Sequence, residues 1–160
     1  MENFKEQLHS FLTSPVLIAC IFSWLIAQLL KTFIKLCSGK VHSLSELFEL
    51  LFWRTGSMPS SHAALVACLS TMIGYRNRNQ LDSDVFILSL VFFLVTIRDA
   101  MGVRRANGVQ ARLLNKISLI LFDKGLMEKD AVKEVQGHTP LEVFVGCLIG
   151  FFIALAFCIL

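Results

Sequence analysis

Four long apolar runs divide the chain and indicate its class. They cover residues 15–30, 59–75, 85–97 and 143–160. Each run approaches the roughly 20 apolar residues that a helix needs to cross a bilayer. The second and third runs are shorter and reach that length only with the residues that flank them. Hydrophobic residues make up 55% of the 160 residues and charged residues only 17%, which is too apolar for an ordinary soluble domain. We therefore predict an all-α integral membrane bundle.

The connections between the runs predict additional helices at the membrane surface. Residues 1–14 form a short amphipathic lead, and apolar residues at helical spacing between 44 and 52 predict an interfacial helix. The connection from about 102 to 140 carries another helical pattern, Val109, Leu113, Ile117 and Leu121. That helix lies either in the interface or inside the bundle as a fifth span. The prediction is one domain, residues 1–160, with four or five transmembrane helices plus interfacial helices.

Basic residues are concentrated on one of the two faces that four spans create. Residues 31–58 and 98–142 share a face that carries twelve of the 15 Lys and Arg residues. Because cytoplasmic loops carry the excess of Lys and Arg, we predict that this face is cytoplasmic and that the protein is integral to the cell membrane. Lys31 and Lys35 are expected to snorkel from the end of the first run. That run starts too late and lacks a basic leader, so we expect no cleaved signal peptide.

Three polar clusters stand at helix ends on this basic face. They are residues 59–62 at the start of the second run, 98–105 at the end of the third and 138–142 at the start of the fourth. Since the second and fourth spans start where the third ends, we expect the clusters to meet. An ionisable residue at membrane depth is costly and usually functional, which favours a functional role for His62. Thr139 and Glu142 also fit a structural role as a capping box.

The side chains in these clusters suit phosphoryl transfer through histidine. Guanidinium forks and helix N-terminal amides bind the phosphate oxygens. One imidazole can attack phosphorus and form a phosphohistidine, with a carboxylate fixing its tautomer. A second imidazole can protonate the leaving oxygen and then activate water. The residues that bring these groups are His62, Arg98, Asp99, Arg104, Arg105, His138 and Glu142.

Two short motifs resemble those of a known superfamily. Pro59-Ser60-Ser61-His62 resembles the Pro-Ser-Gly-His motif of the type-2 phosphatidic acid phosphatase and vanadium haloperoxidase superfamily. The pair His138 and Glu142 is similar to its final His-x-x-x-Asp. With Arg-Asp-Ala-Met-Gly-Val-Arg-Arg at residues 98–105, the pattern resembles the divergent bacterial and plant branch from about residue 15 to the C-terminus.

The resemblance implies roles for individual residues. His138 would be the nucleophile, Glu142 its orienting carboxylate and His62 the general acid, while Ser60 and Ser61 would donate to phosphate. The first motif of the superfamily, a Lys and an Arg-Pro pair, is absent, and the Arg expected six residues before the nucleophile is Val132. The candidates to complete the phosphate site are Arg98, Asp99, Arg104, Arg105, Arg54 and Lys133.

The resemblance further implies hydrolysis of a lipid phosphomonoester without a cofactor or metal. Phosphatidylglycerol phosphate and phosphatidic acid are the first candidate substrates, and a polyprenyl phosphate or diphosphate is next. The expected partners are this phosphorylated lipid and the bilayer, with no nucleic acid. Two alternatives remain open: a metal enzyme, or a lipid-headgroup-binding or scaffold protein that has kept the fold. The metal would be held by His62, Asp99, His138 and Glu142.

Glycine and cysteine residues give a further indication of how the helices pack. Gly146 and Gly150 form a Gly-x-x-x-Gly pattern, which either packs helices inside the bundle or joins two copies as a homo-oligomer. The five cysteines show no metal-ligand spacing, and four lie inside apolar runs. They are interpreted as small buried hydrophobic residues.

Overall fold

The computed structural model describes residues 2–38, 58–128, 131–132, 134 and 137–159. All regular structure in these ranges is helical, which confirms the all-α prediction for them. The helices are α1 (Glu2–Leu12), α2 (Pro15–Cys37), α3 (Ser61–Arg76), α4 (Asp84–Met101), α5 (Val103–Asp123) and α6 (Pro140–Ile159). The interfacial helix predicted between residues 44 and 52 lies outside the described residues.

Three helical segments in the described ranges are long and apolar enough to cross a membrane. They are Pro15–Cys37, Asp84–Asp123, which runs through α4 and α5, and Pro140–Ile159. The shorter α3 has 16 residues and lies buried among the other helices. Large apolar side chains cover the outside, as Leu88 and Phe92 of α4 do, and so wide an apolar surface is typical of contact with lipid. The chain is a membrane protein.

Capping residues explain where α3 and α6 begin. The Ser60 hydroxyl accepts a hydrogen bond from the Ala63 N–H at 3.4 Å, as an N-cap residue does. At α6, the Thr139 hydroxyl accepts from the Glu142 N–H at 3.4 Å, and the Glu142 carboxylate accepts from the Thr139 N–H at 3.0 Å. This reciprocal pair confirms the predicted capping box.

Gly146 and Gly150 let α6 lie directly against α3. A Cβ on Gly146 would collide with the Ser60 carbonyl oxygen, and one on Gly150 with the Ala64 carbonyl oxygen. Each step of four residues on one helix matches four on the other, so α3 and α6 run parallel. The glycine face is therefore occupied by α3 of the same chain, and it is not available for the homo-oligomer alternative.

The other two core helices run opposite to this pair. The Phe86 ring lies beside Gly74, while Ala100 packs against Ala63 at the opposite end of α3, so α4 is antiparallel to α3. The N-terminal part of α2, around Cys20, packs against the C-terminal halves of α3 and α6. One end of the bundle therefore gathers the starts of α3 and α6 and the ends of α2 and α4.

Replacing Gly150 by Val is expected to destabilise the bundle by about 3 kcal/mol, the upper part of the usual cost of overpacking a core. The obstacle to the added side chain is backbone of α3, which cannot rotate away as a flexible side chain can. The midpoint of thermal unfolding in detergent measures the effect. Ala156→Val, at an exposed position of the same helix, is the matched control. Equal stability of the two variants would contradict the close packing.

Candidate active site

His138 is held in place immediately before α6. Its side chain is buried, with 5% of the residue exposed. The backbone N–H of His138 donates to the Ala100 carbonyl at 3.2 Å. The ring Nδ1 lies 3.1 Å from Glu142 Oε2. Because an ionised carboxylate only accepts hydrogen bonds, this contact favours the tautomer with its proton on Nδ1. The lone pair is then on Nε2, the nitrogen that can act as a nucleophile.

The Glu142 carboxylate has two tasks at once. Its Oε2 atom accepts from the His138 ring and from the Thr139 N–H. The backbone carbonyl of Glu142 also accepts from the Ser60 N–H at 3.0 Å, which joins the start of α6 to the start of α3. One residue therefore orients the imidazole, caps its own helix and aligns the two helices.

Burial lowers the pKa of the His138 imidazole below its ordinary value of 6.5. The hydrogen bond and negative charge of Glu142 oppose this shift, and the positive charges of Lys31 and Arg104 add to it. The net direction is downward, because desolvation of the charged ring dominates. His138 is therefore neutral at physiological pH, the state in which one ring nitrogen has a free lone pair.

His62 stands in the first turn of α3, with its side chain exposed. The charges that act on its ring are those of Arg104, His138 and Lys31. Two of these, Arg104 and Lys31, are the same cations that act on His138. The structure thus brings together the two histidines that the topology was expected to join, in one positive electrostatic environment.

Arg104 reaches this environment with the help of Asp99. The Arg104 Nε donates to Asp99 Oδ2 at 2.7 Å, and both side chains are about half exposed. A pair this exposed contributes little stability, so its effect is mainly to position the guanidinium. Asp99 was grouped with the phosphate-binding candidates, but its negative charge would repel phosphate. It is better suited to holding Arg104.

Lys31 is the member of the site that the sequence interpretation missed. The expectation that it snorkels to the headgroups is wrong, because only 2% of the residue is exposed. Its Nζ donates to Gln28 Oε1 at 2.9 Å, and its charge acts on both histidines. The Lys31 side chain faces the interior of the bundle, so its buried ammonium group lies close enough for its charge to act on both histidines.

The comparison with known proteins identifies the family. The sequence profile of the divergent PAP2 family matches residues 12–153. The chain belongs to this family. It is similar to the Bacillus subtilis (strain 168) membrane protein YuiD, which is described as uncharacterized, at 36% identity over 156 residues. The match covers 90% of this chain and 94% of that protein. No solved structure is significantly similar to the chain.

The remaining candidates for the phosphate site are absent from the charges that act on the histidines, or they lie outside the described ranges. The Arg105 backbone nevertheless lies against Gly137, the residue before His138. Arg98 and Arg105 are exposed, and neither is among the described charges that act on either imidazole. Each is next to a residue that does belong to the site, and one helical step turns a side chain by about 100°. Arg54 and Lys133 lie outside the described residues.

The two serines of the first motif are buried at the start of α3. The Ser60 hydroxyl oxygen accepts the N-cap bond. A hydroxyl that accepts a hydrogen bond still carries a proton to donate, so donation to phosphate from Ser60 stays a prediction. The same holds for Ser61.

An apolar groove of about 600 Å³ opens along the end of α4 and the start of α5. Its lining residues are Leu94, Ile97, Arg98, Met101, Gly102 and Val103. Ile97 and Met101 also pack against the buried cluster of Ala63, Ala100 and Val143. Ala63 follows His62 and Val143 follows Glu142 in the chain, so two residues of the groove pack against positions next to the candidate site.

The described residues contain no group of three or more His, Cys, Asp and Glu side chains close enough to hold a metal ion. Asp99, one of the four proposed metal ligands, is engaged by Arg104 instead. Glu142 is engaged by His138 and Thr139. The metal-enzyme alternative therefore lacks a ready ligand set among these residues.

Proposed function

We propose that this protein is a lipid phosphatase that hydrolyses a phosphomonoester through a phosphohistidine on His138. The observation that carries the proposal is the oriented His138–Glu142 pair, which shares its environment with His62, Arg104 and Lys31. Membership of the divergent PAP2 family supports it.

In the first half-reaction, Nε2 of His138 attacks the phosphorus atom and forms a P–N bond. The P–O bond to the lipid breaks, and His62 donates a proton to the departing oxygen. Glu142 stabilises the positive charge that develops on the His138 ring, since it accepts the Nδ1 proton. The cations of Arg104 and Lys31 balance the charge on the equatorial phosphate oxygens. The start of α3 adds the positive end of its helix dipole.

In the second half-reaction, water replaces His138 on phosphorus. His62 is now neutral and takes a proton from this water, so that hydroxide attacks the phosphohistidine and inorganic phosphate leaves. His62 ends protonated and His138 ends neutral, as both began. The exposure of the His62 side chain supports this role, because the attacking water must reach His62 from solvent.

The groove on α4 supports a lipid as the substrate. Its apolar walls could hold the first part of an acyl or prenyl chain while the headgroup reaches His138, with Arg98 at the rim. Phosphatidylglycerol phosphate and phosphatidic acid are the first candidate substrates for such a site, and polyprenyl phosphates are the next.

With α3 counted as a fourth crossing, the site lies on the face richest in Lys and Arg. The positive-inside bias supports a cytoplasmic position for this face in the cell membrane.

The fall of kcat/KM at acid pH should follow the protonation of His138. Its pKa is lowered, and the nucleophile must be neutral, so kcat/KM should fall only as the pH drops below about 6.5. Glu142→Gln keeps a side chain suited to the capping box but removes the charge that raises the His138 pKa. The acid limb of the pH profile should therefore move to still lower pH in this variant, alongside a lower rate. A limb well above 6.5, or one that moves upward, would contradict the assignment.

Phosphate release from a panel of phosphates tests the function itself. The panel should pair each lipid phosphate with its water-soluble headgroup, such as phosphatidic acid with glycerol 3-phosphate. We expect release from a lipid, inhibition by vanadate and resistance to EDTA. Activity lost with EDTA and restored by a metal would favour the metal enzyme. Lipid binding with no release from any member would favour the non-catalytic lipid-binding protein.

A further inference from the structure

Helix α5 presents one side to the protein and the other to its surroundings. Gly108 and Ala111 are the buried positions of the helix. On the opposite side Val109, Leu113 and Ile117 are each about half exposed. An apolar face this large and uncovered is not stable in water.

Asn115 fixes which side faces the protein. Its side chain donates to the Val132 carbonyl at 3.0 Å and accepts from the Val132 N–H at 2.8 Å. It also donates to Glu134 at 3.0 Å. These bonds tie the middle of α5 to the segment that leads to His138, so the outward face of the helix is determined by tertiary structure.

The position of α5 along the chain explains its exposed apolar face. The 18 residues of α4 rise by about 27 Å at 1.5 Å per residue, which is close to the thickness of the hydrocarbon core. The chain has therefore reached the membrane surface at Gly102, where the helix is interrupted. The apolar face of α5 is then suited to the boundary between headgroups and acyl chains, as in interfacial amphipathic helices.

A row of basic side chains borders this apolar face. Arg105, Arg112 and Lys116 are spaced by seven and four residues, which places them on one side of the helix over about 16 Å. All three are exposed, and no carboxylate of the described residues lies within ion-pair distance of them. Arg104 points to the other side, where it pairs with Asp99.

We propose that α5 is a binding surface for anionic phospholipids. The row of Arg105, Arg112 and Lys116 would bind the phosphate headgroups of the leaflet while the apolar face inserts beside them. The charge complementarity and the continuity of α5 with a membrane-spanning helix support this occupant. The proposal does not depend on phosphatase activity, because it concerns lipid binding by the exposed side of α5 and its test needs no turnover.

Spin-labelled lipids provide the test. The full-length protein is reconstituted in phosphatidylcholine vesicles with a trace of spin-labelled phosphatidylglycerol or phosphatidylcholine. The motionally restricted fraction gives the preference for the anionic lipid. We expect Arg105→Gln/Arg112→Gln/Lys116→Gln to reduce this preference by about threefold or more, since one basic residue near an anionic surface contributes up to about fivefold.

The matched control is Lys5→Gln/Arg76→Gln/Arg78→Gln, which removes the same charge from residues outside α5. It should leave most of the preference intact. If both triple variants lose the same preference, the effect is one of net charge and the proposed surface is wrong. The wild type gives a second measurement that needs no variant. Salt raised from about 0.1 M to about 1 M should abolish the preference, since it shortens the Debye length from about 10 to about 3 Å. A preference unchanged by salt would also overturn the proposal.

Discussion

His138→Asn is expected to lower phosphate release by about 10⁴-fold or more, the scale seen when an enzyme loses its nucleophile. Asparagine keeps a short polar side chain that can still donate towards Glu142, so the start of α6 should survive. It has no nitrogen lone pair able to attack phosphorus. The measurement is the initial rate of phosphate release from the best lipid phosphate of the panel, with folding checked by thermal unfolding.

Trapping of the intermediate makes this prediction specific. Acid-labile, base-stable labelling of the protein by a radioactive lipid phosphate is expected in the wild type and absent in His138→Asn. His9→Asn, on the exposed helix α1, is the matched control and should label normally. If His138→Asn still becomes labelled, or still turns over at more than about a hundredth of the wild-type rate, His138 is not the nucleophile.

Lys31→Met is expected to lower kcat/KM by about 10²- to 10³-fold, the range for removal of one electrostatic donor. The lysine is buried, and its charge acts on both histidines, so it can oppose the negative charge of the transferring phosphate without screening by water. Methionine preserves much of the volume and the unbranched shape. Lys35→Met, one turn further along α2 and more exposed, is the control and should cost far less.

Stability distinguishes a functional from a structural Lys31. A buried ammonium group carries a desolvation penalty of several kcal/mol, which its replacement by an apolar side chain of similar volume removes and which offsets the loss of the Gln28 hydrogen bond. We therefore expect Lys31→Met to unfold at the same temperature as the wild type or above it, while activity falls. A variant that loses stability and activity in parallel would indicate that Lys31 only supports the bundle.

The hydrophobic pattern predicted most of the fold. Each of the four apolar runs lies largely within one helix, and the capping box at Thr139 and Glu142 is present. The meeting of His62 with His138 followed from topology alone, because it required only that alternate spans run in opposite directions. The number of membrane crossings did not follow, since α3 has only 16 residues and is covered by its neighbours.

The basic residues were harder to place because their direction depends on helical phase. Hydropathy treats Lys31 as the end of an apolar run, yet it continues a stripe of buried small residues that includes Ala19, Ser23 and Ala27. Small and polar residues at this spacing mark the inward face of a membrane helix, so the signal was present. Between Asp99 and Arg104 the helix breaks at Gly102, and no periodicity carries the phase across that break.

The close contact of α3 with α6 fixes the spacing of the two histidines independently of the surfaces that face lipid. His62 belongs to one helix of the pair, and His138 is fixed at the start of the other by Glu142. The glycine contacts begin at Ser60, two residues before His62, and at Gly146, eight residues after His138, so the spacing of the two helix starts is set by contact between their backbones. The groove and the basic row lie on α4 and α5 instead. If the proposals for the site and for α5 hold, substitutions on the exposed basic row of α5 would change lipid preference while the contact between α3 and α6 keeps the two histidines in place.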